Sequence, residues 1–137
     1  MVKNFSRVVL DPDLRIRPQS NLAQTAHQVK TIIVTASGDK EKADCLRRQG
    51  LTITIMRHES KRFNLKDVLG NLYSKHDITS ILIEAGPGIG TAFLKEGQID
   101  KFFVFFAPII LGQNRYSMFS DLGLEKYASP INWNSGT

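Results

Sequence analysis

Along the chain, short apolar runs alternate with segments whose apolar residues recur at helical spacing. Arg7 to Leu10 (R-V-V-L) is β-branched and stops at Asp11-Pro12, which predicts a strand ending at the aspartate. Arg15 to Gln28 is polar and irregular, with room for one helical turn around Leu22. Thr31 to Thr35 (T-I-I-V-T) predicts a second strand. Asp39 to Gln49 predicts a helix, its acids early, its bases late and Gly50 behind it as a stop. Leu51 to Met56 alternates as a third strand, and Asn64 caps a helix running through Lys75 with Leu65, Val68, Leu69 and Leu72 on one face. Thr79 to Glu84 reads as a fourth strand, Gly88 to Glu96 as the next helix, and Lys101 to Ala107 (K-F-F-V-F-F-A) as a strand buried on both faces.

Strands alternating with helices predict an α/β domain with a largely parallel sheet and right-handed crossovers. Ligands of such folds gather at the carboxyl ends of the strands, here Asp11, Thr35, Arg57 and Glu84. At 137 residues the chain suits a single domain with a real core. No apolar run is long enough to span a bilayer, and the N-terminal residues lack a signal-peptide pattern. A single cysteine, Cys45, excludes an internal disulfide and suits a reducing cytoplasm. The net charge of +5 is scattered rather than gathered on a basic face, so nucleic acid is not an expected partner.

The chemistry concentrates in I-L-I-E-A-G-P-G-I-G-T-A-F-L, Ile81 to Leu94. Glycines let the backbone turn after a strand and approach a ligand without a Cβ in the way, and the following helix start offers N–H groups to an anion. A phosphate-binding P-loop requires Gly-Lys-Ser/Thr, and Gly90-Thr91-Ala92 stands there instead. The dinucleotide pattern G-x-G-x-x-G fits Gly86 and Gly88 but meets Thr91 at its third glycine. The first motif of S-adenosylmethionine-dependent methyltransferases fits E-A-G-P-G-I-G, but it usually opens its domain and is followed by an acidic strand end. Here three strand candidates precede it, and F-F-V-F-F-A-P follows.

The order of segments resembles the reductase domain of the bifunctional riboflavin-biosynthesis deaminase–reductase. It rests on R-V-V-L-D-P-D-L-R-I at Arg7, the glycine turn, G-Q-I-D-K-F-F-V-F-F-A-P-I-I-L-G at Gly97 and G-L-E-K at Gly123. The resemblance implies a dihydrofolate reductase-like fold, a mostly parallel sheet flanked by helices, incomplete at its N-terminal side and at its C-terminal edge. It implies NADPH as cofactor and 5-amino-6-(5-phosphoribosylamino)uracil, a phosphorylated ribosylaminopyrimidine, as substrate. Gly86, Pro87, Gly88, Ile89, Gly90, Thr91 and Ala92 would wrap the cofactor pyrophosphate, Pro12 would lie beside the cofactor, and Glu84 would bind the substrate's sugar. No catalytic side chain is singled out. A homodimer and a deaminase domain upstream are implied as well. Residues 1–137 would be one partial reductase domain, carrying roughly the later two-thirds and inactive or weakly active in isolation. The alternatives are a truncated nucleotide-binding or dimerisation module without turnover, and the methyltransferase.

Other candidates have plainer readings. His27, His58 and His76 lie far apart in polar segments, which suits surface positions rather than a metal site. Asp11 and Asp13 suit turn chemistry, and Asp39 a helix cap. Phe102, Phe103, Phe105 and Phe106 suit a core or a dimer interface, and Thr35-Ala36-Ser37-Gly38 a loop before a helix, with contact to the adenosine end of the cofactor as the alternative reading.

Overall fold

The computed structural model describes residues 5–58, 62–105, 108 and 117–122. They fall into two compact units, one up to Asp77 and one from Ile78 onward. The first holds three strands, β1 (Arg7–Leu10), β2 (Thr31–Thr35) and β3 (Thr52–Ile55), with helices α1 (Asn21–Gln24), α2 (Lys40–Arg48) and α3 (Leu65–His76). The second holds α4 (Pro87–Lys95).

The sheet runs β1-β2-β3 and both ladders are parallel. Residues two apart on a strand share a face, so the register sorts the core into two sides. Val9, Ile33 and Ile53 stand opposite one another. With Leu14, Ala23, Ala26, Ala43, Leu46 and Leu51 they form one cluster, which places α1 and α2 on that face. Val34 and Thr54 lie on the other face, where Thr54 Oγ1 meets His76 Nε2 at 3.3 Å. α3 therefore covers the second face, burying Leu65, Val68 and Leu72. Enclosed on both sides, β2 is buried at every residue.

Helix ends follow their capping residues. Asp39 Oδ1 accepts the Lys42 N–H at 2.9 Å and Asn64 Oδ1 the Asp67 N–H at 3.2 Å, each satisfying a donor the helix leaves unpaired. After α2 the chain reverses at Gly50, whose φ of 92° suits a residue without a Cβ. Arg7, unremarked in the sequence, fastens β1 to the α1–β2 connection. Its guanidinium donates to Thr25 Oγ1 at 2.9 Å, Thr31 Oγ1 at 3.0 Å, the Thr25 carbonyl at 3.1 Å and the Val29 carbonyl at 3.2 Å.

Two predicted strands do not form among the described residues. Residues 79–84 and 101–105 carry strand-like composition but join no sheet among the described residues. A strand exists through its ladder, and apolar composition alone supplies no partner for its N–H and C=O groups. Leu82 is 74% exposed and Phe105 93% exposed, so these side chains are not core. Phe102 instead rests against Phe119, ring centroids 5.6 Å apart. The rest of the predicted last strand, with Phe106, lies outside the described residues.

Of the histidines only His27 is exposed. His58 is half-buried with its ring edge-on to Phe63, and His76 is half-buried against Thr54, because each follows or ends an element that packs on the sheet. No helix among the described residues is long and apolar enough to cross a membrane.

Candidate functional site

The glycine turn opens α4. Gly86 is the N-cap, Pro87 the first helical residue, and no side chain caps the end. Proline favours this place because its missing N–H would have no intrahelical acceptor and its φ already suits a helix. The first intrahelical bond runs from the Gly90 N–H to the Gly86 carbonyl at 3.1 Å. The Gly88 and Ile89 N–H groups consequently point out of the helix end, on the side where its dipole favours an anion.

Around Gly86, Gly88 and Gly90 a Cβ would meet nothing within 4 Å, and none of the three has a positive φ. Neither crowding nor backbone conformation within the chain calls for glycine there. Each glycine in a helix costs about 0.5–1 kcal/mol relative to alanine. An open cradle with two outward donors fits a pyrophosphate, which needs close backbone approach from outside the chain.

The predicted site residues divide by what they can still offer. Glu84 is exposed, two residues before the cap, so its carboxylate is available to a ligand. Thr91 is only 5% exposed, and its Oγ1 accepts the Ser120 N–H at 2.8 Å. Thr91 and Ala92 lie inside the helix, where N–H groups bond to carbonyls four residues back. The donors of the turn are thus Gly88 and Ile89.

Pro12 belongs to the first unit. Its carbonyl accepts from the Ala36 N–H at 3.0 Å and from Thr35 Oγ1 at 3.1 Å, so both lone-pair directions are used within the chain. What Pro12 presents to a ligand is its ring. Beside it Asp11 performs the turn chemistry expected of it, Oδ2 accepting the Ile16 N–H at 2.8 Å. The remaining oxygen, Oδ1, is buried without a hydrogen bond. Sequence reasoning missed this, and also Ser120, because each depends on contacts that no local spacing encodes. Among the described residues no group of three metal-ligating side chains gathers.

An α/β unit with a parallel sheet, and a glycine-rich turn opening a helix, are features of many nucleotide-binding proteins. Comparison with known proteins narrows this: the family described as RibD C-terminal domain matches residues 2–135, and the chain belongs to that family. It is 36% identical to the riboflavin biosynthesis protein RibD of Aquifex aeolicus over 118 residues, 86% of this chain and 31% of that protein. The protein of the same name from Actinobacillus pleuropneumoniae is 31% identical over 77% of this chain and 28% of its own length. That from Escherichia coli is 30% identical over 89% of this chain and 31% of its own length. The chain thus spans less than a third of these relatives.

Proposed function

We propose that this chain serves the reductase step of riboflavin biosynthesis: NADPH-dependent reduction of 5-amino-6-(5-phosphoribosylamino)uracil to its ribitylamino product. The carrying observation is the open glycine cradle at the start of α4 in a chain of this family. NADPH, when bound, supplies the hydride. The Gly88 and Ile89 N–H groups would hold its pyrophosphate and Gly86 and Gly90 would keep the approach clear; Pro12, in the first unit, is a cofactor contact on the family resemblance alone. Glu84 accepts from a hydroxyl of the substrate's sugar, a bond strengthened by the carboxylate's charge. With no side chain assigned to proton transfer, the protein's contribution is to hold nicotinamide and substrate carbon face to face. In this reading residues 1–137 belong to one reductase domain of a cytoplasmic enzyme that pairs as a homodimer, with a deaminase domain upstream in the full-length protein.

Fluorescence titration of NADPH tests the turn. Binding to the unaltered chain and its loss in Gly88→Asp, which places a carboxylate where the pyrophosphate would lie, is the expected result. No binding in either protein removes the assignment. Loss of NADPH absorbance on adding the phosphoribosylaminopyrimidine then reports turnover.

A further inference from the structure

The parallel strands of the first unit all begin at the end of the sheet opposite Asp11-Pro12. There His27 precedes β2, while Arg48, Gln49 and Gly50 lead from α2 into β3. Between these two connections lies a cleft of about 400 Å³, walled by Ala23, Gln24, His27, Arg48, Gln49 and Gly50. Its volume falls within the range of small-molecule sites, and no wall residue is acidic.

The donors around this cleft are unspent. Among the described residues the His27 backbone N–H has no acceptor, and the exposed Arg48 guanidinium forms no ion pair. Asp44, on the same helix, is engaged by Arg47 at 2.8 Å instead. Gly50 keeps the approach to His27 open, since a Cβ there would stand 3.5 Å from the His27 nitrogen. Free carbonyls at a helix end would repel an anion. Here the Leu46 carbonyl accepts from Gln49 and Leu51, and that of Arg47 accepts from Gly50. Gln49 Oε1 is buried without a hydrogen bond, so turning this oxygen toward a ligand hydroxyl forfeits no bond within the chain.

We propose that this cleft is a ligand site in its own right, for a small phosphate ester of sugar-phosphate size. The Arg48 guanidinium forks onto the phosphate oxygens, and the His27 N–H donates to the same group. The amides of Gln24 and Gln49 meet hydroxyls of the organic part, and Ala23 supplies an apolar wall. Every contributing residue lies in the first unit, so the inference depends neither on the glycine turn nor on the reductase reading.

Titration of the full chain with ribose 5-phosphate, followed through its amide NMR signals, tests it, with ribose and with chloride at matched ionic strength as controls. Ribose 5-phosphate should move the His27, Arg48 and Gly50 signals to saturation, and neither control should. Arg48→Gln should weaken binding at least about tenfold, the loss expected for one charge-assisted pair. Arg48→Lys should weaken it less, because the charge remains while the fork is lost. Arg48 is exposed on the last turn of α2, so both variants fold as the parent does. Gly88→Asp should bind ribose 5-phosphate as the unaltered chain does. Absence of saturable shifts at His27 and Gly50, equal shifts with chloride, or full affinity in Arg48→Gln overturns the proposal. Loss of binding in Gly88→Asp would move the site to the glycine turn and overturn it as well.

Discussion

Thr91 and Ser120, 29 residues apart, are joined by a hydrogen bond of 2.8 Å from the Ser120 N–H to the buried Thr91 hydroxyl. The bond fastens residues 117–122 to the first half of α4, and the Phe102–Phe119 contact supports the same segment. Thr91→Val keeps the shape but removes the acceptor, stranding a donor at a cost of about 1–2 kcal/mol. Amide exchange at Ser120 should accelerate in Thr91→Val and return to its original rate in Thr91→Ser. Equal exchange in all three proteins would show that the bond contributes nothing.

Arg7 should resist conservative replacement. Its fork reaches two hydroxyls and three carbonyls, and a lysine ammonium has neither the spread nor the number of donors. Arg7→Lys and Arg7→Met should each lower stability by about 2–3 kcal/mol in urea unfolding. Full stability in Arg7→Lys would reduce the network to a single point charge.

Protonation of His76 should weaken the first unit. Burial, with help from Lys30 and Lys75, holds its pKa below the ordinary 6.5. Between the folded pKa and 6.5 the unfolded chain binds the proton more readily than the folded one. Stability is therefore level above that window, falls as the pH drops through it, and levels again below the folded value. His76→Gln removes this dependence, and a urea midpoint that slopes equally in both proteins across the window would contradict it.

Two glycines should respond oppositely to alanine. At Gly90 a Cβ meets open space and φ is not positive, so Gly90→Ala should stabilise α4 by about 0.5–1 kcal/mol. Gly50 has φ of 92°, and its Cβ would come within 3.5 Å of the His27 backbone nitrogen. Gly50→Ala should cost at least about 1 kcal/mol. Thermal unfolding of the pair decides the matter, and a destabilised Gly90→Ala would mean that the chain itself needs that glycine.

What the sequence disclosed was what local chemistry encodes. β1 and β2 were readable to the residue because β-branched runs ended at Asp11-Pro12 and beyond Thr35, and the caps Asp39 and Asn64 marked their helices. The glycine turn was legible for the same reason, being a carboxylate, three glycines and a helix in unbroken succession. The segments 79–84 and 101–105 misled because apolar composition does not report whether a neighbouring strand exists. Nor could spacing show that Thr91 spends its hydroxyl on Ser120, that Pro12 spends its carbonyl on Thr35 and Ala36, or that Asp11 keeps one oxygen unpaired. Those are properties of long-range packing.

The reach of Arg7 also bears on the order in which the sheet assembles. A parallel ladder cannot zip from a tight hairpin, so β1 must wait for a partner 24 positions later before its first pair closes. Arg7, on one side of that closure, bonds to Thr25, Val29 and Thr31 on the other, and so rewards the long loop as soon as it forms. Arg7→Met should therefore slow refolding more than it hastens unfolding, and an effect confined to the unfolding limb would place the residue outside the folding nucleus.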